Sequence, residues 1–569
     1  GPNCVGTIDL ATGLNTTFIE GMPDRGCIGF VSQSGGVCGA IIGCYSDQKI
    51  GLSRCVSLGN EADVTETDVI EFMARDPDTR VIAAYVEGIS DGRRFMEVVG
   101  RVSVEKPVIV LKAGRTRAGE QAVASHTGAL AGSMAAYRAG FRRCGVIEVR
   151  SLGELLDTSL AFAFQPLPAG DRVFVLSNSG GPAALSADHL DELGIPLAEL
   201  SPHIRASVQE GLDPAVQSGN PIDMLGGAGP DEYGFALPVI LSDPAVDIVL
   251  VILVPHLLLD PADAARRICR AAKYATKPIV TCFVGGEQVE EARQILHKHR
   301  LPMYHFPEAA CGVVNSLASY VRWRNNHPAP NGHDRPITNL GVVQQLLEDA
   351  GRRQVLGEAE ARPVFSAYHV PIISGGIATN EQEAIELAEE LGYPVVLKLI
   401  SPDILHKTEA GGVKLGLKHR AAVVAAYREM VETVRTKYPE ARLGGVLVEM
   451  MANGGYEVIV GMRRDPQFGP LMLFGMGGVY VELLTDVAFK IAPVNRVDAL
   501  EMIRETKAGQ LLSGLRGQVA GNVEAVAGCI EALSQMALDF PQIQEVEINP
   551  LLVSAAGAVA LDGRIVLEP

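Results

Sequence analysis

Short apolar runs, glycine turns and amphipathic stretches alternate through the first 325 residues. The runs at 27–31, 81–86, 108–111, 173–176, 248–254 and 279–284 are rich in Val and Ile and do not alternate with polar residues. Runs of that kind fit strands covered on both faces, as in a parallel sheet between helices. Intervening segments such as 183–193 and 263–275 carry apolar residues at helical spacing. The pattern predicts a doubly wound α/β architecture.

The pattern also repeats. Phe30-Val31-Ser32-Gln33-Ser34-Gly35-Gly36 returns as Val175-Leu176-Ser177-Asn178-Ser179-Gly180-Gly181. Gly59-Asn60-x-x-Asp63 returns as Gly219-Asn220-x-x-Asp223, and Lys106-Pro107-Val108-Ile109 as Lys277-Pro278-Ile279-Val280. Three landmarks in one order predict two copies of a flavodoxin-like domain. A Pro-, Asn- and Gly-dense stretch at 325–336 then reads as a linker. Beyond it, an amphipathic helix at 381–391 precedes strands at 394–399, 413–417, 446–451, 457–462 and 471–474. Strands joined by short links, with few helices between, predict an α+β domain.

Composition narrows the function. The chain has 569 residues, 47% apolar and 20% charged, a balance that excludes a disordered chain and suits several domains. Mean hydropathy is +0.18, yet the longest apolar run, 248–254, falls far short of the roughly 20 residues that span a bilayer. A net charge of −18 with no long basic run argues against nucleic acid as a partner. Any phosphate ligand must then be held by backbone N–H groups, a few lysines and a metal. Ten scattered cysteines without metal spacing read as reduced, buried thiols, and with no leader visible the expected location is cytoplasmic.

Each Ser-x-Ser-Gly-Gly segment joins a strand to a helix start. Several N–H groups and the helix dipole converge there, an anion site that needs no basic residue. A tight turn with serine capping is the plainer reading of a single loop. The candidate phosphate loops are Ser34, Gly35, Gly36 and Ser179, Gly180, Gly181.

The segment Ala124-Ser125-His126-Thr127-Gly128-Ala129-Leu130-Ala131-Gly132 resembles the phosphohistidine loop of the nucleotide-diphosphate-forming acyl-CoA synthetases, relatives of succinyl-CoA synthetase. Gly1-Pro2-Asn3-Cys4-x-Gly6, residues 32–36, Tyr85-Val86-Glu87-Gly88 and Lys112-Ala113-Gly114-Arg115 resemble that family in its order. So do Lys398, Ser401-Pro402-Asp403-x-x-His406-Lys407, Gly475-x-Gly477-Gly478 and Glu547-Ile548-Asn549-Pro550, which are similar to its ATP-grasp domain. Two departures stand out. Only the last motif of the family's N-terminal CoA-binding Rossmann domain is present, so that domain is expected to have been truncated, cleaved or left out. Near the C-terminus, Asp562-Gly563-Arg564 replaces the fused family's usual Asp-Ala-Arg and is closer to the succinyl-CoA synthetase β chain. Pattern and resemblance together divide the chain into a Rossmann remnant (1–20), a ligase domain with the phosphohistidine loop (21–168), a second flavodoxin-like domain (169–325), a linker (326–356) and an ATP-grasp domain (357–569).

The resemblance implies roles, each with a plainer alternative. His126 is the phosphate carrier, because imidazole is nucleophilic near neutral pH; otherwise it is an exposed loop residue. Glu87, at a strand end, accepts the Nδ1–H of His126, or else caps a helix or forms a surface ion pair. His406 relays phosphate or only lines the site. Lys398 meets nucleotide phosphates or is solvated. Glu449, Met450 and Met451 occupy the adenine hinge, where backbone groups read the base, with Glu457 in the same nucleotide set; the methionines fit a core equally well. Glu547 and Asn549 share a strand face and, with Asp562, offer hard oxygen ligands to Mg²⁺; otherwise the carboxylates are solvated.

The implied reaction joins a carboxylic acid to CoA, consuming ATP, through phosphohistidine and acyl phosphate, in a homo-oligomer, expected as a dimer, with no membrane partner. The acid is left open among acetate, branched, aryl and hydroxycinnamic acids such as ferulate. The alternatives are an ATP- and CoA-dependent lyase acting on a sulfonium acid and a non-catalytic acyl-CoA or nucleotide sensor.

Overall fold

A computed structural model describes the chain except residues 48, 117, 120, 122–132, 327–339, 351–353, 402, 405–409, 453, 479–485, 515–517 and 569. It divides into two compact units, one of Gly1–Met134 with Gly140–Ala329 and the other of Ala135–Ala139 with Pro330–Pro569. Among the described residues no helix is long and apolar enough to cross a membrane.

The first unit holds two sheets. Strands β1 (Thr7–Asp9), β2 (Leu14–Asn15), β3 (Arg25–Ser32), β4 (Leu52–Ser57), β5 (Val81–Val86), β6 (Val108–Lys112) and β7 (Ile147–Val149) form one, in the order β2-β1-β4-β3-β5-β6-β7. Strands β3 to β7 are parallel, whereas β1 and β2 add an antiparallel edge. The second sheet contains β8 (Val173–Ser177), β9 (Ile222–Asp223), β10 (Ile248–Leu253), β11 (Ile279–Phe283) and β12 (Met303–Tyr304), ordered β12-β11-β10-β8-β9 and all parallel. Both parallel cores follow the flavodoxin order 2-1-3-4-5, whose chain reversal opens a crevice between β3 and β5 in one copy and β8 and β10 in the other.

Burial on both sheet faces explains the unbroken apolar runs. Every residue of β6, β8, β10 and β11 is buried, and each enclosed Val, Leu or Ile side chain contributes about 1.5–3 kcal/mol. One core cluster runs from Phe30 and Ile109 through Leu155 and Phe162 to Val175, Leu250 and Leu317. The helix Pro307–Asn326 belongs to it, and Tyr320 there donates to Ser103 O at 2.7 Å.

Two of the three sequence landmarks are structurally equivalent. The serine–glycine loops follow β3 and β8, and the Lys-Pro pairs lead into β6 and β11, with Lys106 donating to Asp76 O and Lys277 to Asp243 O. The third landmark differs. Gly59-Asn60 follows β4, but Gly219-Asn220 precedes β9, where Asn220 bonds the main chain of Val173, Val175 and Ala198. Seven of the ten cysteines are buried, but Cys44 is exposed, against expectation, on a helix face turned to solvent.

The second unit is mostly antiparallel. Strands β13 (Val355–Leu356), β18 (Tyr456–Asp465), β19 (Gly469–Met476), β20 (Val487–Ile491), β21 (Ile543–Ser554), β22 (Gly557–Ala560) and β23 (Gly563–Leu567) form a sheet ordered β13-β23-β21-β18-β19-β20, with β22 paired to β21. A smaller sheet holds β14 (Gly375–Ala378), β15 (Val395–Ile400), β16 (Val413–Leu417) and β17 (Gly445–Met450) in the order β14-β17-β15-β16. The segment expected as linker carries structure: Asn325 and Asn326 end a helix, and Leu340–Ala350 forms another. In the latter, Val343, Leu347 and Ala350 recur at helical spacing and enter the core of this unit.

Candidate active site

The two serine–glycine loops are built alike. In the first, Ser32 Oγ donates to Ser34 O at 2.8 Å and accepts the Ser34 N–H at 3.2 Å. In the second, Ser177 Oγ donates to Ser179 O at 2.9 Å and accepts the Ser179 N–H at 3.0 Å. Each turn delivers the chain to a 13-residue helix, α1 (Gly35–Asp47) in one copy and Gly180–Glu192 in the other. A Cβ at Gly35 would stand 2.6 Å from Val5, and one at Gly180 would stand 2.9 Å from Asp223 Oδ2. Gly181, by contrast, faces open space, so a ligand can approach the helix start closely. The Asp223 carboxylate beside Gly180 offsets part of the positive end of the second helix.

The middle residue of each loop is an amide that clamps the neighbouring strand. Asn178, 2% exposed, donates to Val254 O and accepts the Val254 N–H, both at 2.9 Å. Gln33 donates to Gly88 O at 2.7 Å and accepts the N–H groups of Glu87 and Gly88. Glu87 thus stands at the crevice between β3 and β5, with its carbonyl held by the buried Lys112 ammonium at 2.8 Å. Sequence reasoning found the glycines but missed the clamp, although an amide in the same place of both copies was a readable signal. His126 and His406 lie outside the described residues.

In the second unit, Lys398 sits in a closed ionic cluster. Its ammonium lies 2.6 Å from Glu358 Oε1 and 2.8 Å from Glu449 Oε2, and also donates to Leu561 O. Arg362 binds the other oxygen of Glu449 and the carbonyl of Ile373. Burial pulls the Lys398 ammonium down, but the two carboxylates outweigh it and leave the group above the ordinary lysine range. The Glu449 side chain is buried within this cluster. The N–H groups of Met450 and Met451 are engaged by Ser374 O and Pro394 O, each at 3.0 Å. Met450 is 42% exposed, so it is no core filler. Glu358 and Arg362 were not foreseen, because both come from a helix, Glu358–Ala367, distant in sequence from Lys398.

The oxygen-rich corner lies beside this cluster. Glu547 and Asn549 project from one face of β21, with Asn549 Nδ2 3.3 Å from Glu547 Oε1. Asn549 N–H donates to Asp562 O at 3.1 Å, which brings the third residue alongside. Asn549 Oδ1 accepts the Gly478 N–H at 3.0 Å; Gly478 has φ +63 and no room for a Cβ beside Glu457 Oε2. Glu457 itself is exposed on β18. The set of two carboxylates and an amide oxygen has the hard chemistry that Mg²⁺ prefers. Arg564, 2.8 Å from Glu547 Oε2, supplies a competing positive charge. Among the described residues no group of three or more His, Cys, Asp or Glu converges as a metal cluster.

Comparison with known proteins agrees with this architecture. Residues 25–162 match a succinyl-CoA ligase-like flavodoxin domain, 173–328 a ligase-CoA domain and 347–567 an ATP-grasp domain. An ADP-forming acetate–CoA ligase of Archaeoglobus fulgidus is 41% identical over 100% of this chain and 82% of its own length. A 4-hydroxybutyrate–CoA ligase (ADP-forming) of Nitrosopumilus maritimus is 36% identical over 99% of this chain and 82% of its own. Among solved structures, an acetyl-coenzyme A synthetase of Ca. Korarchaeum cryptofilum in complex with phosphate and ADP is similar over 57% of this chain and 71% of its own, with 37% identity and a TM-score of 0.56. The chain belongs to the ADP-forming acyl-CoA ligases, a family of enzymes whose flavodoxin-like and ATP-grasp parts are the two units described above.

Proposed function

We propose that this enzyme activates its carboxylic acid in three transfers, with His126 as the carrier. The γ-phosphoryl group of ATP moves to a histidine nitrogen, a P–N bond replacing the P–O bond to ADP. His406 receives it in the ATP-grasp part and passes it to His126. The carboxylate then takes the phosphoryl group as an acyl phosphate, and the CoA sulfur displaces inorganic phosphate from the acyl carbon. Each step exchanges one activated bond for another, so little free energy is lost before the thioester forms.

The residues divide the work. Glu87 accepts the Nδ1–H of His126, which fixes the tautomer and presents Nε2 to phosphorus. The helix starts at residues 34–36 and 179–181 hold the phosphoryl oxygens with backbone N–H groups. Lys398 meets the nucleotide phosphates, with Glu449, Met450, Met451 and Glu457 beside the nucleotide. Glu547, Asp562 and the Asn549 side-chain oxygen would hold Mg²⁺, which offsets phosphate charge when bound. The duplicated loop, paired with a carboxylate at the crevice, is the observation that carries this reading.

The acid is a small or hydroxylated carboxylate, a class framed by relatives named for acetate, 4-hydroxybutyrate and trans-feruloyl-CoA. The enzyme works in the cytoplasm as a homo-oligomer. A screen of acetate, 4-hydroxybutyrate, branched, aryl and hydroxycinnamic acids for acid-dependent ADP release in the presence of ATP, Mg²⁺ and CoA tests it. Release with one class and an acyl-CoA product of matching mass is expected; ADP release without any acyl-CoA would overturn it.

A further inference from the structure

Beneath the first serine–glycine loop, two carboxylates share one amide. Gln33 Nε2 lies 2.8 Å from Glu61 Oε2 and 3.4 Å from Glu66 Oε2, while the same side chain clamps Glu87 and Gly88. Glu61 lies in the loop after β4, and its Oε1 accepts the Glu66 N–H at 3.0 Å. Glu66 opens helix α2 (Glu66–Arg75), is 1% exposed and accepts the Thr67 hydroxyl at 2.8 Å. Among the described residues neither carboxylate forms an ion pair with Lys or Arg. Two enclosed carboxylates without a counter-ion do not both stay ionised.

We propose that Glu61 and Glu66 share one proton and, through Gln33, hold the backbone of Glu87, so that losing this proton sets an alkaline limit on the carrier site. The proposal rests on the reading of Glu87 as the partner of His126, and Gln33, Glu61 and Glu66 are positioning residues within it. Burial, and next the neighbouring Glu66 charge, push the Glu61 carboxyl up to about 8, and burial raises Glu66 as well. When the proton leaves, repulsion acts on Glu61, the less buried partner, which sits in a loop at φ +49. Gln33 then loses its 2.8 Å contact, and its amide is no longer pinned against the Glu87 and Gly88 N–H groups.

Other charged groups stand around the pair. Lys112 at the end of β6 donates to the Glu87 carbonyl. Asp68 of α2 is paired with Arg94 of helix α3 (Gly92–Glu105) at 2.7 Å, Glu71 lies 3.6 Å from the same guanidinium, and Asp63 is exposed in the Glu61 loop. The second copy offers a contrast. Asn178 makes the equivalent clamp with both bonds to Val254 and no carboxylate, so the pH-sensitive version belongs to the copy that carries Glu87.

The test measures phosphohistidine lifetime. The full chain is labelled with ATP carrying a labelled γ-phosphate, free nucleotide is removed, and the half-life of the acid-labile label is followed from pH 6 to 9.5. Free phosphohistidine is stable in base, so a lifetime that shortens several-fold above pH 8 reports loss of the Glu87 contact. Glu61→Gln, a permanently neutral mimic of the protonated pair, removes that shortening, and Glu66→Gln does the same if either carboxylate can hold the proton. A merely structural role would shift thermal stability without changing the shape of this profile. Superimposable profiles for the parent and both variants overturn the proposal while leaving the carrier reading intact. Absence of any label overturns the carrier reading and, with it, the proposal.

Discussion

Lys398 Nζ lies 2.8 Å from Glu449 Oε2, across the adjacent antiparallel strands β15 and β17. With Glu358 and the Leu561 carbonyl this accounts for all three ammonium hydrogens. Arg362 balances the remaining charge, so the cluster is a neutral quartet of two cations and two carboxylates. A nucleotide phosphate reaching Lys398 must take the place of one of these acceptors.

Replacing Lys398 by Met takes the ammonium away from two buried carboxylates, Glu358 and Glu449, and breaking a buried pair costs about 3–5 kcal/mol. The double variant Lys398→Met/Glu358→Gln removes one charge of each sign and keeps Arg362 with Glu449. Denaturant unfolding should show most of the lost stability restored in the double variant. ATP use should stay impaired in both. Recovery of ATP use together with stability would make Lys398 a purely structural residue.

Asp562→Asn should raise the ATP and Mg²⁺ concentrations needed for half-maximal ADP release by about tenfold, of the order of a lost charge-assisted contact. The CoA requirement should barely change, because Asp562 adjoins Asn549 and Glu547 in the oxygen-rich corner. Equal effects on ATP and CoA would assign Asp562 to the fold instead.

Much of this was readable in the sequence, for physical reasons. Strand 81–86, strand 413–417 and helix 381–391 were predicted to the residue because their periods are clean and their ends carry turn or cap residues. Residues 340–350 fall in the expected linker because the neighbouring Pro, Asn and Gly mask a short amphipathic repeat whose partners lie in the distant ATP-grasp core. The Gly59 and Gly219 landmarks looked alike as letters but fall on opposite ends of their strands. The positions of Glu87, Lys398 and Glu547 were legible as strand ends and alternation. Gln33 beside Glu87, Glu358 beside Lys398 and Arg362 beside Glu449 were not, because long-range hydrogen bonds leave no local period.

Asp157 gives a pH dependence of stability with a definite sign. Burial, and next the Glu154 charge one turn back, push its carboxyl up to about 6 from an ordinary value of 3.8. The native chain therefore binds this proton more tightly than the unfolded chain, and stability falls as pH rises from about 4 to about 6. Asp157→Asn should stabilise the protein by about 1–3 kcal/mol at neutral pH, with the gain vanishing below about pH 4. Thermal unfolding measured across that window checks it; a gain independent of pH would contradict the assignment.

The most direct test of the account is the fate of the γ-phosphate of ATP on the intact chain. The parent protein, incubated with labelled ATP and Mg²⁺, should carry acid-labile, base-stable label that maps to the peptide containing His126. His126→Asn should still bind ATP but lose that label at this peptide and lose acyl-CoA synthesis. Undiminished acyl-CoA synthesis by His126→Asn, or a parent protein that turns over without label at His126, would contradict the carrier role of this residue.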